Sequence, residues 1–265
     1  MTTLLKEPSI LSQGVYLQFV TKIKLLDDAI VRSNEPEEVL TFKYQSLGNR
    51  YIIPWRKVKA KLRRLVMEKQ RSLSIEPDCH LKGDLCMRCP SCFIFGGTGE
   101  TTSANVPYNI LARILGESFI STTQVGEIQP YTQNAVDEKD LTTGQALMSI
   151  TPVPKETVFI GVITLKDPTP EIASIVVDNL GRLTRIGARS VEWGRVETTI
   201  LGYKLSDRED LTVYNLIGSK IGGIENIHDL KLPAVEDAYK RLDKQVKGLV
   251  KPLLKKKPEE STEEG

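Results

Sequence analysis

Residues 157–186 read TVFIGVITLKDPTPEIASIVVDNLGRLTRI, and the change of pattern inside this stretch decides the fold. TVFIGVITL (157–165) is rich in Val, Ile and Phe and has strand length. From Thr169 the apolar residues take helical spacing. Thr169 stands where an N-cap belongs, and Pro170 occupies the first turn, where a missing N–H costs nothing. A strand followed directly by a helix is one half of a split βαβ plan.

Working outward, LMSITPVP (147–154) precedes it as a second strand, joined through a Pro-Lys turn. GARSVEWGRVETTILGYKL (187–205) follows as a glycine-punctuated loop running into a last strand. Near the start, GVYLQFVTKIKLL (14–26) is a strand with imperfect alternation. VLTFKYQSLGNRYII (39–53) is a hairpin with Gly48-Asn49 at its turn. Pro54 opens a helix whose apolar stripe is Val58, Leu62, Leu65 and Val66. The order strand, helix, two strands, helix, strand predicts an α+β fold with a ferredoxin-like βαββαβ core, the plan of RNA-recognition domains. Residues 98–145 are irregular and polar, broken by a short helix-like NILARIL (109–115), and are expected to hang off that core. AVEDAYKRLDKQVKGLVKPLL (234–254) predicts a terminal helix, and the polar end of the chain is expected to be disordered.

The chain has 265 residues, 40% hydrophobic and 26% charged, with a net charge of +2. Bulk charge therefore declares no nucleic-acid partner, and local distribution must decide. No apolar run approaches the roughly 18 residues of a membrane span, and the N-terminal residues lack the apolar core of a signal peptide. The expected compartment is the cytoplasm, without membrane attachment; there, clustered cysteines bind metal more often than they form disulfides.

All four cysteines fall in CHLKGDLCMRCPSC (79–92) with spacing C-x6-C-x2-C-x2-C. Two-residue gaps let successive thiolates close on one tetrahedral ion, and zinc favours such ligands. Cys86, Cys89 and Cys92 are the firm ligands, and the fourth is Cys79 or His80. An iron–sulfur cluster uses similar spacing, but its usual further cysteine downstream is missing. Four or five ligands crowded into one loop describe a closed structural zinc site rather than a catalytic one.

Between Trp55 and Arg71 stand eight basic residues and one acid, Glu68. Lys57, Lys61 and Arg64 share one helical face, and Arg56, Lys59 and Arg63 another. A solvated helix mixes in acids for i,i+4 pairing; with so few, the self-repulsion points to a bound polyanion. A second anion candidate is RLTRIGARSVEWGRVE (182–197), in which Arg182, Arg185, Arg189 and Arg195 are spaced among Gly187 and Gly194 and Trp193 could stack on a base.

Three segments resemble one family. YIIPWRKVKAKLR (51–63) resembles the IPG-S-S-x-x-G-x-x-R segment that opens the first helix of CRISPR RAMP backbone subunits. CMRCPSCFIFGG (86–97) resembles their C-x-x-C-P-x-C-x-x-FG motif, and LTRIGARSVEWGRVE (183–197) their late glycine-rich loop. The resemblance spans residues 10 to 205 and is greatest to the backbone subunit of type I-D effector complexes. Trp55-Arg56 and Glu192-Trp193 depart from it, standing where small residues are usual.

The resemblance implies a modified RNA-recognition core over 10–205, with a zinc-binding insertion at 76–97 and a thumb-like insertion at 98–145. A C-terminal helical segment at 206–250 and a disordered tail at 251–265 would follow. It implies a guide-RNA (crRNA) binding protein of a Cascade complex that polymerises head-to-tail along the guide. Such a protein would present the guide to target DNA or RNA among other effector subunits. Relatives in type III complexes cut target RNA with an aspartate in the loop after the first strand. Here that loop holds Asp27, Asp28, Glu35, Glu37 and Glu38, which could bind a divalent metal. A guide-holding, non-catalytic role is the leading expectation. The alternatives are a metal-dependent ruler endonuclease and a general zinc-containing RNA-binding protein.

Overall fold

The computed structural model describes residues 2–32, 40–100, 102–126, 131–136, 143–217 and 222–255. In chain order its elements are β1 Tyr16–Leu25, β2 Thr41–Tyr44, β3 Gly48–Ile53, α1 Trp55–Ser72, α2 Pro90–Phe95, β4 Ile114–Gly116, β5 Phe119–Gln124, β6 Tyr131–Val136, β7 Thr143–Ile150, β8 Val158–Lys166, α3 Pro170–Gly181, β9 Val196–Ser206, α4 Val213–Leu216 and α5 Val235–Val250. The main sheet runs β2-β3-β5-β8-β1-β9, with β4 also paired to β8. Four consecutive strands at one end of it, β9-β1-β8-β5, are all antiparallel neighbours and stand in the 4-1-3-2 order of a ferredoxin-like unit. The β2–β3 hairpin extends that sheet at the β5 edge. The expected α+β plan therefore holds. No helix among the described residues is long and apolar enough to cross a membrane.

The imperfect alternation of β1 has a physical cause: the strand is covered on both faces. Leu17, Phe19, Ile23 and Leu25 pack with Phe119, Phe159, Ile163 and the helices. On the other face Val20 packs with Ile120, Ile160 and Val162 beneath Val213, Leu216 and Ile217. Gln18 is fully buried there. Its Oε1 accepts from the Asp210 and Leu211 N–H groups at 2.7 and 2.8 Å, and its Nε2 donates to the Leu211 carbonyl at 3.0 Å. One polar side chain thus pins the covering strap by satisfying that strap's backbone.

On the helical side, α1 buries Val58, Leu62, Leu65 and Val66 as its stripe predicts. Thr169 caps α3, its hydroxyl accepting from the Ile172 N–H at 3.4 Å. Helix α5 lies against α3 and α2. Fully buried Tyr239 takes a hydrogen bond from Asn179 at 2.9 Å and donates to the Val66 carbonyl at 3.3 Å.

Five expectations need correction. The sheet's second strand is β5, not 147–154; residues up to Ile150 belong to β7, which pairs with β6 in a separate ribbon. NILARIL is extended rather than helical: Ile110 bridges Gly97, and β4 pairs with β8. A helix there would leave the edge of β8 at Ile163–Leu165 unpaired. Residues 98–145 are therefore not one insertion, because β4 and β5 belong to the main sheet and the β6–β7 ribbon does not. The first part of the supposed tail, Lys251–Lys255, continues α5 as a 3₁₀ turn, and the remainder lies outside the described residues. The hairpin turn also sits slightly earlier than expected, over Gln45–Leu47, with Gly48 at φ 73° pairing with Tyr44.

Gly161 offers a direct check on the packing. A Cβ there would lie 2.5 Å from the buried Phe119 ring. Gly161→Ala should cost about 1–3 kcal/mol of overpacking. Urea titration should show a lowered midpoint with an unchanged slope.

Candidate metal centre and nucleic-acid interface

The cysteine loop follows α1 and ends in α2. Cys89 is the N-cap of α2, its sulfur accepting from the Cys92 N–H at 3.4 Å, and Pro90 sits in the first turn. Cys79 Sγ accepts from the Cys86 N–H at 3.4 Å. The four sulfurs lie within 4.8 Å of one another, with Cys79–Cys92 at 3.7 Å and Cys79–Cys89 at 3.8 Å. A tetrahedral ion with metal–sulfur bonds of about 2.3 Å sets its ligands about 3.8 Å apart. The two shortest separations match that spacing, all four sulfurs are close enough to share one ion, and the two N–H···S bonds orient them. Hydrogen bonding from Cys86, Cys89 and Cys92 pulls the Cys79 thiol down. The bond to Cys79 pushes Cys89 and Cys92 up, and burial adds to it. Four thiolates this close need a shared cation to ionise together.

His80 is placed elsewhere. Its Nε2 meets Asp84 at 2.7 Å and its Nδ1 lies 2.8 Å from the Asp78 carbonyl oxygen. Both ring nitrogens are engaged outside the cluster, so the geometry selects Cys79 as the fourth sulfur. Cys79, Cys89 and Cys92 are buried, with Met67 of α1 packed on them. The following Phe93, Ile94 and Phe95 are buried in the main core.

Two residues that sequence reasoning passed over tie this loop down. Buried Gln70 accepts from the Ser91 N–H at 3.2 Å, and buried Arg113 lies 4.8 Å over the Phe93 ring and pairs with Asp167. The signal for Gln70 is an uncharged polar residue on the buried stripe of α1. Arg113 had no comparable signal.

The basic residues of α1 divide at the buried stripe. Lys57, Lys61 and Arg64 line a cleft of about 230 Å³ whose other wall is Arg185, Ile186, Gly187, Ala188 and Ser190. The two anion candidates of the sequence therefore meet. Lys59 and Arg63 are on the opposite flank, where the Arg63 guanidinium lies 5.8 Å over the Phe95 ring. Arg56 is exposed between them. Further along the helix, Glu68 is taken by Arg182, the first arginine of the glycine stretch, at 3.0 Å, and Lys69 pairs with Glu236 at 3.2 Å. Among the described residues, no carboxylate pairs with Arg56, Lys57, Lys59, Lys61, Arg63 or Arg64. Burial and then the neighbouring Arg56 lower the Lys57 pKa; burial and then Arg63 lower that of Lys59.

In the glycine loop, Arg185 donates to the Trp193 carbonyl at 3.4 Å, and the Trp193 N–H donates to the Arg189 carbonyl at 3.0 Å. Arg189 is exposed in left-handed backbone at φ 49°, and Trp193 is half-buried. Arg195 is exposed beyond the loop. Gly194 serves the loop itself: at φ 76°, its Cβ would fall 1.9 Å from the Ile186 carbonyl oxygen. Gly187, at φ 92°, approaches the Ile30 carbonyl in the same way.

The Asp27 carboxylate accepts from the Arg195 N–H at 2.6 Å, and that of Asp28 from the Lys155 N–H at 2.8 Å. They brace the glycine loop and the β7–β8 turn, respectively. Glu35, Glu37 and Glu38 lie outside the described residues.

Comparison with known proteins follows the same lines. The model of the family described as Csc2 Crispr matches residues 34–264. Among solved structures, the chain resembles the crystal structure of Thermofilum pendens Csc2 with a TM-score of 0.58 and 21% identity, covering 93% of this chain and 81% of that one. It also resembles a chain of a Type IV-B CRISPR complex, with a TM-score of 0.53 and 14% identity, covering 83% of this chain and 96% of that one. These likenesses establish a shared fold. No curated protein matches the chain.

The metal centre yields a sharp contrast between neighbours in sequence. Cys89→Ser should lose the bound metal, whereas His80→Ala should retain about one ion per chain, the stoichiometry of a closed single-ion site. Elemental analysis of the two purified variants decides this. Chelation of the wild type should lower its melting temperature, because ligand binding to the native state is folding free energy.

Proposed function

The chain belongs to the Csc2 Crispr family, and on that premise we propose that it is a RAMP-type backbone subunit of a type I-D Cascade complex that holds guide RNA by its phosphates. The observation that carries this reading is the cleft in which Lys57, Lys61 and Arg64 of α1 face Arg185 across the backbone of Ile186–Ala188. Cations brought together without carboxylates repel one another, and a polyanion relieves the repulsion. The cleft offers charge and backbone but no base-reading pattern. That suits a guide strand whose bases must remain free to pair with a target.

The metal in this reading is structural zinc, supported by the four-sulfur donor set and its close spacing. It would brace the loop that carries Phe93, Ile94 and Phe95 into the core beside α1. Copies would stack head-to-tail along the guide with other effector subunits, a heterologous contact that builds an open array. The role is non-catalytic. Asp27 and Asp28, the described members of the acidic loop, engage backbone N–H groups with their carboxylate oxygens.

The test is salt-dependent binding. Replacing Lys57 and Lys61 together with glutamate should weaken binding to RNAs of different sequence by similar factors. It should also flatten the slope of log affinity against log salt by about 1.4, at about 0.7 per lost phosphate contact on a single strand. An unchanged slope would remove the cleft from the interface. In the same preparations, target cleavage that depends on added divalent metal would favour the endonuclease alternative.

A further inference from the structure

RNA-recognition sheets stack bases on aromatic residues of their open central face. In this protein that face is filled, because Val20, Ile160 and Val162 lie beneath Val213, Leu216 and Ile217. The segment that fills it also carries Tyr214, which reaches a row of aromatic rings at the sheet edge. Phe42 and Tyr44 of the outer strand β2 have ring centroids 4.7 Å apart, and Tyr44 and Tyr214 lie 5.5 Å apart. Phe42 and Tyr214 are each 54% exposed.

The row is fixed in place. Tyr44 packs with Leu47 and Ile52 against the Val20 cluster, and burial together with Tyr214 pushes its hydroxyl pKa up to about 12. The charge nearest the row is mixed: Arg50 stands opposite Phe42 with its guanidinium on the Leu47, Ser121 and Thr122 carbonyls, and the Glu117 carboxylate accepts from the Val213 N–H beside Tyr214. A row of half-exposed rings on an edge strand, with its middle ring anchored, matches the flat faces of unpaired bases. The row packs on the Val20 face, whereas α1 and its cleft cover the Leu17–Phe119 face.

We propose that Phe42, Tyr44 and Tyr214 form a stacking platform for two or three unpaired bases of single-stranded nucleic acid, separate from the strand held in the α1 cleft. The Tyr44 and Tyr214 hydroxyls engage each other, so the platform offers ring faces rather than sugar contacts, and RNA and DNA of one sequence bind alike. The platform goes beyond the guide-holding reading and is tested with the cleft silenced.

The experiment uses the full chain carrying Lys57→Glu and Lys61→Glu, with short single strands of RNA or DNA containing 2-aminopurine. Binding should quench the 2-aminopurine. Adding Phe42→Ala and Tyr214→Ala should lower affinity at least about tenfold for both sugars and abolish the quench. Phe42→Trp with Tyr214→Trp should restore both, while an abasic strand of equal length should bind the aromatic and alanine forms equally weakly. Unchanged affinity in the alanine form overturns the proposal. So does rescue by leucine as complete as rescue by tryptophan. A change in self-association without nucleic acid, with oligonucleotide binding intact, also overturns it and makes the row a protein-docking face. Because the cleft is silenced throughout, failure here leaves the guide-binding reading standing.

Discussion

Everything distinctive about this protein depends on one unrelieved electrostatic constraint: the first ten residues of α1, Trp55 to Arg64, carry six cations that no described carboxylate pairs with. A helix of this composition holds together because Val58, Leu62, Leu65 and Val66 bury its other side. Hydrophobic burial thus keeps like charges at close quarters, and the stripe divides them into two flanks. One flank meets the glycine loop and becomes a cleft. The other meets Phe95, where ring and guanidinium attract. Further along the same helix, Glu68 and Lys69 pair with Arg182 and Glu236.

The two supports of α1 come from opposite ends of the chain's logic. The cysteine loop hangs from its C-terminal end and returns through α2, so a metal there would fix Phe93 and Phe95 with little core of its own. The glycine loop is held mainly by backbone. Gly194 closes it on Ile186 and donates to the Asp28 carbonyl, Ala188 bridges Ile30, and the Asp27 carboxylate takes the Arg195 N–H at its end. The Asp28 carboxylate instead holds Lys155 in the β7–β8 turn. Asp27 and Asp28, which a reader would first suspect of catalysis, thus have structural partners.

Much of this was legible in the sequence, for identifiable reasons. The strand-to-helix change at Thr169, the Pro54 helix start, the hairpin and the cysteine spacing are local signals, and each appears where local chemistry puts it. Choices made by long-range pairing were not legible. NILARIL reads as helix but is drawn out by the open edge of β8, and the sheet's second strand lies at Phe119–Gln124 rather than nearer β8 in sequence. Cys79 and His80 were equivalent by spacing. Asp84, which belongs to no ligand motif, decided between them by occupying the imidazole. The meeting of Arg185 with Lys57 and Lys61 needed the third dimension altogether. So did the burial of the sheet's central face, which removes the usual base-stacking surface of this fold.

The central claim is that a nucleic-acid backbone lies in the α1 cleft. Acetylation of lysines in the free and the guide-bound protein, followed by mass spectrometry of the peptides, tests it most directly. The account expects bound RNA to protect Lys57 and Lys61 of the cleft, and digestion of the RNA to remove that protection. Equal modification of both lysines in the free protein and in a saturated complex would contradict it.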